Sequence, residues 1–227
     1  IINFVISGED KLFVFAKSPV ISEFKEGQEN INYNYLVYTK DFSEVIQKYL
    51  PINSRDILQM TVSSPICVYN GIEFIATYDQ HIYRYRNNKI DTLYYLDFGK
   101  YNVTPQDIND WLCYLFDQYK QWFRIGNINN LYENDRFLSL SYLFNDTSHF
   151  FIHLKIRNRT YDSNDLIKNR LIPRCQIQTL HDNSFIAFVE PKDLIDFLSV
   201  RKEYLTLIKQ PDPFDNPYIM TFNIADN

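Results

Sequence analysis

The sequence contains little glycine, cysteine and tryptophan, and it lacks the short motifs that mark common enzyme sites. Its 227 residues include 5 Gly, 3 Cys and 2 Trp. The odd number of cysteines argues against a disulfide framework, and the absence of a CxxC pair argues against a structural zinc or redox motif. The motifs GxSxG, GxxxxGKS/T, HExxH and GxGxxG are all absent, so no known nucleophile, phosphate or zinc signature is present.

The chain also lacks a surplus of positive charge and any long apolar run. Its formal net charge is −5, and no basic run of five residues occurs. A nucleic acid or an anionic membrane surface is therefore not the expected partner. No stretch approaches the roughly 18 apolar residues of a spanning helix. Because the sequence begins Ile1-Ile2-Asn3 without a methionine, we expect any targeting segment to lie outside it.

Aromatic residues are abundant, with 18 Tyr and 18 Phe, and they favour β-sheet. Short apolar runs alternate with polar turns, as at Asn70-Gly71, the strongest hairpin signal of the chain, and at 86–89. Residues 66–98 hold four strands joined by tight turns, which is typical of one propeller blade. The pattern predicts an all-β fold, a β-propeller of four-stranded antiparallel blades.

Two segments have the spacing of helices, about 105–124 and 191–208. The first begins with Thr104 as a predicted N-cap, Pro105 at the first helical position and Asp107 in the first turn. Trp111, Tyr119 and Trp122 lie in this helix and are the weak candidates for ligand binding. They either pack the helix onto the β body or form an aromatic platform for a sugar ring or an apolar peptide.

Three segments carry a resemblance to a known family: 35–51, Tyr95–Lys100 and Asp215-Asn216-Pro217. They resemble the six-bladed β-propeller lipoproteins of Gram-negative gut anaerobes, a family of unknown function. The resemblance implies a protein of the periplasm or cell surface, with a lipid anchor on a segment preceding residue 1. Because the strands suffice for about four blades, we expect 1–227 to be one incomplete propeller domain, the C-terminal portion of a longer protein.

Histidine and acidic residues give no strong metal signal. His149 and His153 have the i,i+4 spacing of zinc ligands on a helix, but their segment has the pattern of a strand, where they lie too far apart to bind one ion. Acidic residues cluster at turns 9–10, 133–135, 145–146 and 212–215, where capping of the backbone explains them. We therefore predict no metal site and no cofactor. The alternative is that these carboxylates converge at a channel mouth and bind calcium.

These observations leave three hypotheses for the function. The first is a non-enzymatic binding module of the bacterial cell envelope, whose ligand is a glycan or a protein partner. The second is a propeller-type hydrolase or lyase that uses a divalent metal in the central channel. The third is a scaffold that completes a larger assembly. The sequence identifies no catalytic residue for the second hypothesis.

Overall fold

Four antiparallel sheets follow one another along the chain, which confirms the predicted all-β fold of the propeller type. The computed structural model describes residues 3–7, 11–15, 32–52, 66–75, 79–104, 106–107, 124–145, 147–206 and 211–224. Each of the first three sheets has four strands, as predicted for a blade, whereas the fourth has three in the described part of the chain. Within each sheet, neighbouring strands are consecutive in sequence.

The first two sheets lie in the N-terminal half. Sheet 1 contains β1 (Asn3–Ser7), β2 (Lys11–Phe15), β3 (Asn32–Thr39) and β4 (Val45–Ile52). Sheet 2 contains β5 (Ile66–Tyr69), β6 (Gly71–Ile75), β7 (His81–Arg86) and β8 (Lys89–Tyr95). A short 3-10 helix at Gly99–Tyr101 follows β8.

Turn chemistry explains the two hairpins that the sequence predicts in sheet 2. Gly71 follows Asn70 with a φ of +137°, and a Cβ added there would lie 2.8 Å from the carbonyl oxygen of Tyr85. Only glycine fits this position. At the second turn, Asn87 and Asn88 both have positive φ, at 52° and 60°, as the tight turns that match strand twist require.

The other two sheets lie in the C-terminal half. Sheet 3 contains β9 (Gly126–Glu133), β10 (Phe137–Phe144), β11 (Thr147–Leu154) and β12 (Arg159–Asp162). Sheet 4 contains β13 (Gln176–His181), β14 (Ser184–Val189) and β15 (Tyr218–Phe222). The helices are α1 (Ser163–Lys168), α2 (Pro191–Val200) and two 3-10 turns at Lys155–Arg157 and Lys202–Thr206.

The second helical insertion follows its prediction. Helix α2 begins with Pro191 at the first position and buries Leu194, Phe197 and Leu198. The 3-10 turn at Lys202–Thr206 continues it within the predicted range of 191–208. A proline at this position loses no hydrogen bond, because the first amide groups of a helix have no partner inside the helix.

The first predicted helix is described only at its start. Thr104 and Asp107 form a reciprocal pair: the Asp107 amide donates to Thr104 Oγ1 at 3.2 Å, and the Thr104 amide donates to Asp107 Oδ2 at 2.8 Å. This is the arrangement of a capping box, and it confirms Thr104 as the N-cap. Trp111, Tyr119 and Trp122 lie outside the described residues, so the aromatic platform stays a prediction.

The chain divides into two compact units, Ile1–Asn129 and Asn130–Asn227, each with its own hydrophobic core. The single-domain organisation stays a prediction. In the first unit, sheets 1 and 2 bury a core that contains Phe13, Tyr35, Val37, Ile72, Phe74 and Tyr85. In the second unit, sheets 3 and 4 and both helices bury a larger one. It contains Phe137, Phe150, Ile152, Leu154, Leu166, Ile172, Cys175, Ile177, Phe185, Ala187, Val189, Leu194, Phe197 and Leu198.

Each unit also buries a carboxylate against a basic residue of the same unit. Glu73 on β6 is fully buried and accepts from Arg84 on β7, with Arg84 Nε at 3.0 Å. Glu133, at the end of β9, accepts from Lys155, whose ammonium group also donates to the Asn134 carbonyl at 2.6 Å. A buried charge is tolerated only when it is paired in this way.

Side chains of β9 cover one edge of sheet 4. Asn130 and Asn134 donate to the carbonyl oxygens of Ile177 and Asp182 at 3.3 and 2.8 Å, and the Tyr132 hydroxyl donates to the carbonyl of Gln178. Asn130 and Tyr132 lie on β9, and Asn134 directly follows it. Their acceptors are Ile177 and Gln178 on β13 and Asp182 directly after it, so these side chains satisfy carbonyl groups along this strand edge.

Candidate ligand-binding groove

A groove of about 270 Å³ opens at one end of sheets 3 and 4, in the second unit. Strand register explains why its residues meet. Gln176 on β13 pairs with Phe188 on β14, and Phe188 pairs with Ile219 on β15. The start of β11 and the first turn of α2 complete the lining. The lining residues are Thr147, Ser148, Arg174, Cys175, Gln176, Phe188, Glu190, Asp193 and Pro217.

The tight connection from β14 to α2 places two carboxylates at the groove. Val189 ends the strand, Glu190 is the N-cap and Pro191 is the first helical residue. Glu190 makes no side-chain capping hydrogen bond, so its carboxylate is not used by the helix. Asp193 lies in the first turn, three residues after Glu190. Residues at this spacing lie on the same face of a helix.

The charged side chains of the lining form no hydrogen bond or ion pair with the residues that the structure describes. Arg174, Glu190 and Asp193 form no hydrogen bond or ion pair through their side chains within the part of the chain that the structure describes. The Asp193 side chain is half-buried, whereas Arg174 and Glu190 are exposed. Polar groups that converge on a concave surface without partners are available to hydrogen-bond a ligand.

The apolar part of the lining is one aromatic ring and one proline. Phe188 is 44% exposed although it lies on a central strand, and Pro217 precedes β15 beside it. An exposed ring next to polar groups is suited to a ligand with both an apolar face and hydrogen-bonding groups.

Cys175 lines the groove as a buried free thiol and is not an activated nucleophile. Its side chain is 7% exposed. Burial, together with the negative charge of Asp193, raises the pKa of this thiol to about 12. A nucleophilic cysteine needs the opposite shift, because the thiolate is the reactive form. The thiol is therefore protonated at neutral pH.

The histidines lie where the strand pattern predicts. His149 and His153 share the less buried face of β11, and they have separate partners. His149 stacks on Tyr142 with ring centroids 5.4 Å apart, and His153 Nδ1 lies 3.0 Å from Thr160 Oγ1. Across the described ranges, no group of three His, Cys, Asp or Glu side chains is placed to hold a metal ion.

The acidic turns that the structure describes are explained by local bonding. Asp215 accepts from the Asp212 amide at 2.9 Å, and Asp212 accepts from the Phe214 amide at 2.9 Å. Glu133 forms the buried pair with Lys155. Residues 9–10 and 146 lie outside the described residues. The prediction of no metal and no cofactor is not tested by this arrangement.

Sequence reasoning missed the groove residues Arg174, Phe188, Glu190 and Asp193. Part of the signal was present, because Pro191 marks a helix start directly after a strand, and side chains at such a junction lie at a sheet end. The exposure of Phe188 could not be read from the sequence, since Phe185 and Phe188 belong to the same apolar run.

Comparison with known proteins identifies the family but no activity. No curated protein matches the chain. A crystal structure of a candidate exported protein from Bacteroides fragilis is similar, with a TM-score of 0.67 at 15% identity. The similarity covers 95% of this chain and 63% of that protein, so the chain spans less than two thirds of its length.

The helices of the described segments are all too short or too polar to cross a bilayer.

The sequence profile of the family described as the 6-bladed β-propeller matches residues 2–187, most of the chain. This match agrees with the observed series of antiparallel meanders, three of four strands and one of three in the described part of the chain. The chain therefore belongs to the six-bladed β-propeller family.

Proposed function

We propose that this protein is a non-enzymatic binding module that holds a glycan in the groove at the end of sheets 3 and 4. The observation that carries this proposal is the combination of an exposed Phe188 ring with three charged side chains that have no hydrogen-bond or ion-pair partner among the described residues. A sugar ring offers an apolar face to the aromatic ring and hydroxyl groups that both donate and accept hydrogen bonds. The protonated Cys175 thiol supports binding without covalent chemistry.

The proposed location is the periplasm or surface of a Gram-negative bacterium. The similar Bacteroides fragilis protein is named as a candidate for export, and this supports the same location for a chain with the same fold. A lipid anchor on a segment preceding residue 1 belongs to this proposal. It is tested by expressing the full gene in its host and determining whether the protein fractionates with membranes.

A thermal-shift screen against oligosaccharides, with calcium and chelator arms, tests the binding function. A ligand at about 100 times its dissociation constant stabilises the folded state by roughly 2.7 kcal/mol. We expect Phe188→Ala to weaken binding about tenfold, as the loss of a stacked ring does. Phe214→Ala is the matched control, since Phe214 is 96% exposed and does not line the groove. Unchanged affinity in Phe188→Ala would contradict the proposed site.

A protein ligand is the second candidate. The observation that favours it is the cross-strand pair of Phe188 and Ile219, which are 44% and 71% exposed on the same face of sheet 4. Ile219→Glu separates the two candidates, because it places a charge on this face without changing the groove lining. Glycan binding should be unaffected by Ile219→Glu, whereas binding of a protein across the face should be lost.

The metal-dependent hydrolase or lyase is the remaining alternative from the sequence. It predicts turnover of a bound oligosaccharide that stops in chelator and returns with calcium. Product analysis of each glycan that raises the melting temperature decides between the two functions. Calcium-dependent cleavage would replace the binding function with the enzymatic one.

A further inference from the structure

We infer that the groove selects a sugar that carries a protonated amine over its neutral counterpart, with the ammonium group bound between Asp193 and the Phe188 ring. This inference rests on the proposed glycan-binding function and names the chemical class of the ligand. It depends on the net charge of the lining, on the partial burial of Asp193 and on the aromatic ring of Phe188.

The charge of the lining favours a cation. One guanidinium, that of Arg174, stands against the two carboxylates of Glu190 and Asp193, so the formal charge of the lining is −1. None of the three is neutralised by a hydrogen bond or ion pair from another described residue. A concave surface with low-dielectric walls concentrates the field of such charges on the ligand.

Of the two carboxylates, that of Asp193 is the less accessible to water, so it depends more on a hydrogen-bond donor from the ligand. The Asp193 side chain is half-buried, and its negative charge interacts with the Cys175 thiol. Cys175 is 7% exposed and has no hydrogen-bond partner among the described side chains. A carboxylate accepts hydrogen bonds and cannot donate them when it is ionised. A ligand ammonium group supplies three donors and a compensating charge, which strengthens these hydrogen bonds relative to a neutral hydroxyl.

The Phe188 ring adds a second attraction for a cation. The face of an aromatic ring attracts an ammonium group, and the attraction increases when water is excluded. A sugar that packs over part of the Phe188 ring brings a substituent amine to the rest of this face, in the groove that Asp193 also lines. Arg174 then donates to hydroxyl oxygens of the same sugar, since a guanidinium has donors and no acceptor.

The test compares three methyl glycosides, of glucosamine, glucose and N-acetylglucosamine, by titration calorimetry at pH 6, where a primary amine is protonated. We expect the wild-type protein to bind the amine at least about tenfold more tightly than the two neutral sugars. Asp193→Asn should remove this preference. Asp196→Asn, on an exposed position of α2 outside the groove, changes the net charge equally and should retain it.

Phe188→Leu is a second variant that keeps the apolar wall and removes the ring. It should reduce the preference for the amine, and cooperative melting of each variant establishes that it is folded. Equal affinity for the three sugars, or a preference that survives Asp193→Asn, would overturn the inference while leaving glycan binding intact. Failure of every sugar to bind would instead overturn the proposed function. A lysine-containing peptide that binds as tightly as the amine sugar, with the same dependence on Asp193, would overturn the assignment to sugars.

Discussion

The two units bury hydrophobic cores of different composition. In the first unit, four of the six buried core residues are aromatic, and Phe13 lies 4.9 to 5.2 Å from the rings of Tyr35, Phe74 and Tyr85. In the second unit, aliphatic side chains predominate and two helices share the core. A tyrosine in a core brings a hydroxyl that must be hydrogen-bonded, and Tyr35 donates to the Ile75 carbonyl at 2.6 Å. The first core therefore depends on specific polar contacts, whereas the second depends on shape and volume.

The largest expected effect comes from truncating one central phenylalanine in each core. Phe74 and Phe185 are both fully buried, so Phe74→Ala and Phe185→Ala should each lower the free energy of unfolding by about 3–5 kcal/mol. Urea denaturation measures both. Phe185→Ala should also weaken ligand binding at the groove, because β14 positions Phe188, whereas Phe74→Ala should leave the groove of the other unit unchanged. If Phe185→Ala left the free energy of unfolding within about 1 kcal/mol of wild type, the burial of Phe185 in the second core would be contradicted.

The buried ion pairs provide the next comparison. Glu73→Gln should lower the free energy of unfolding by about 3 kcal/mol, because it removes the fully buried negative charge that pairs with the half-buried Arg84 guanidinium. Glu133→Gln should cost less, since Lys155 keeps its hydrogen bond to the Asn134 carbonyl. Glu203→Gln, in the exposed pair with Arg201, is the control and should change stability by less than about 1 kcal/mol. Equal effects of all three substitutions would contradict the burial of Glu73.

The smallest expected effect separates a buried tyrosine hydroxyl in the first unit from a half-buried one in the second. Tyr35→Phe should lower the free energy of unfolding by about 1–3 kcal/mol, because the Ile75 carbonyl loses the hydrogen bond from the buried Tyr35 hydroxyl. Tyr132→Phe should cost only about 1 kcal/mol, since Tyr132 is half-buried and its acceptor lies at a sheet edge. Tyr95→Phe, at a ring that is 56% exposed, is the control. A larger loss of unfolding free energy in Tyr132→Phe than in Tyr35→Phe would contradict the inference that the first core depends more on polar contacts than the second.

Much of the fold could be predicted because its strands are short and locally determined. The turns at Gly71 and at Asn87-Asn88 need residues that accept positive φ, and the sequence places such residues there. Thr104 and Pro191 similarly mark helix starts. The edge protection by Asn130, Tyr132 and Asn134 was not predicted, because their acceptors lie almost 50 residues further along the chain.

The candidate site could not be predicted in the same way. The groove joins the start of β11, the start of β13, the end of β14 and the residue before β15, which are up to 70 positions apart. The three aromatic candidates of the first helix came from spacing on a single helix, which reports which residues share a face but not what that face contacts. Phe188 has no such periodic signal, and its exposure depends on which face of sheet 4 the core covers.

The sequence by itself determined the class of the protein: its strands, its turns, its membership of the propeller family and the absence of a recognised catalytic motif. These follow from local preferences, since period-two alternation and turn residues act over a few positions. Only the tertiary structure decided which charged residues meet at one end of sheets 3 and 4. Arg174, Glu190 and Asp193 are ordinary in sequence. They become a candidate site because sheet packing brings them together, and no other described residue pairs with their charges.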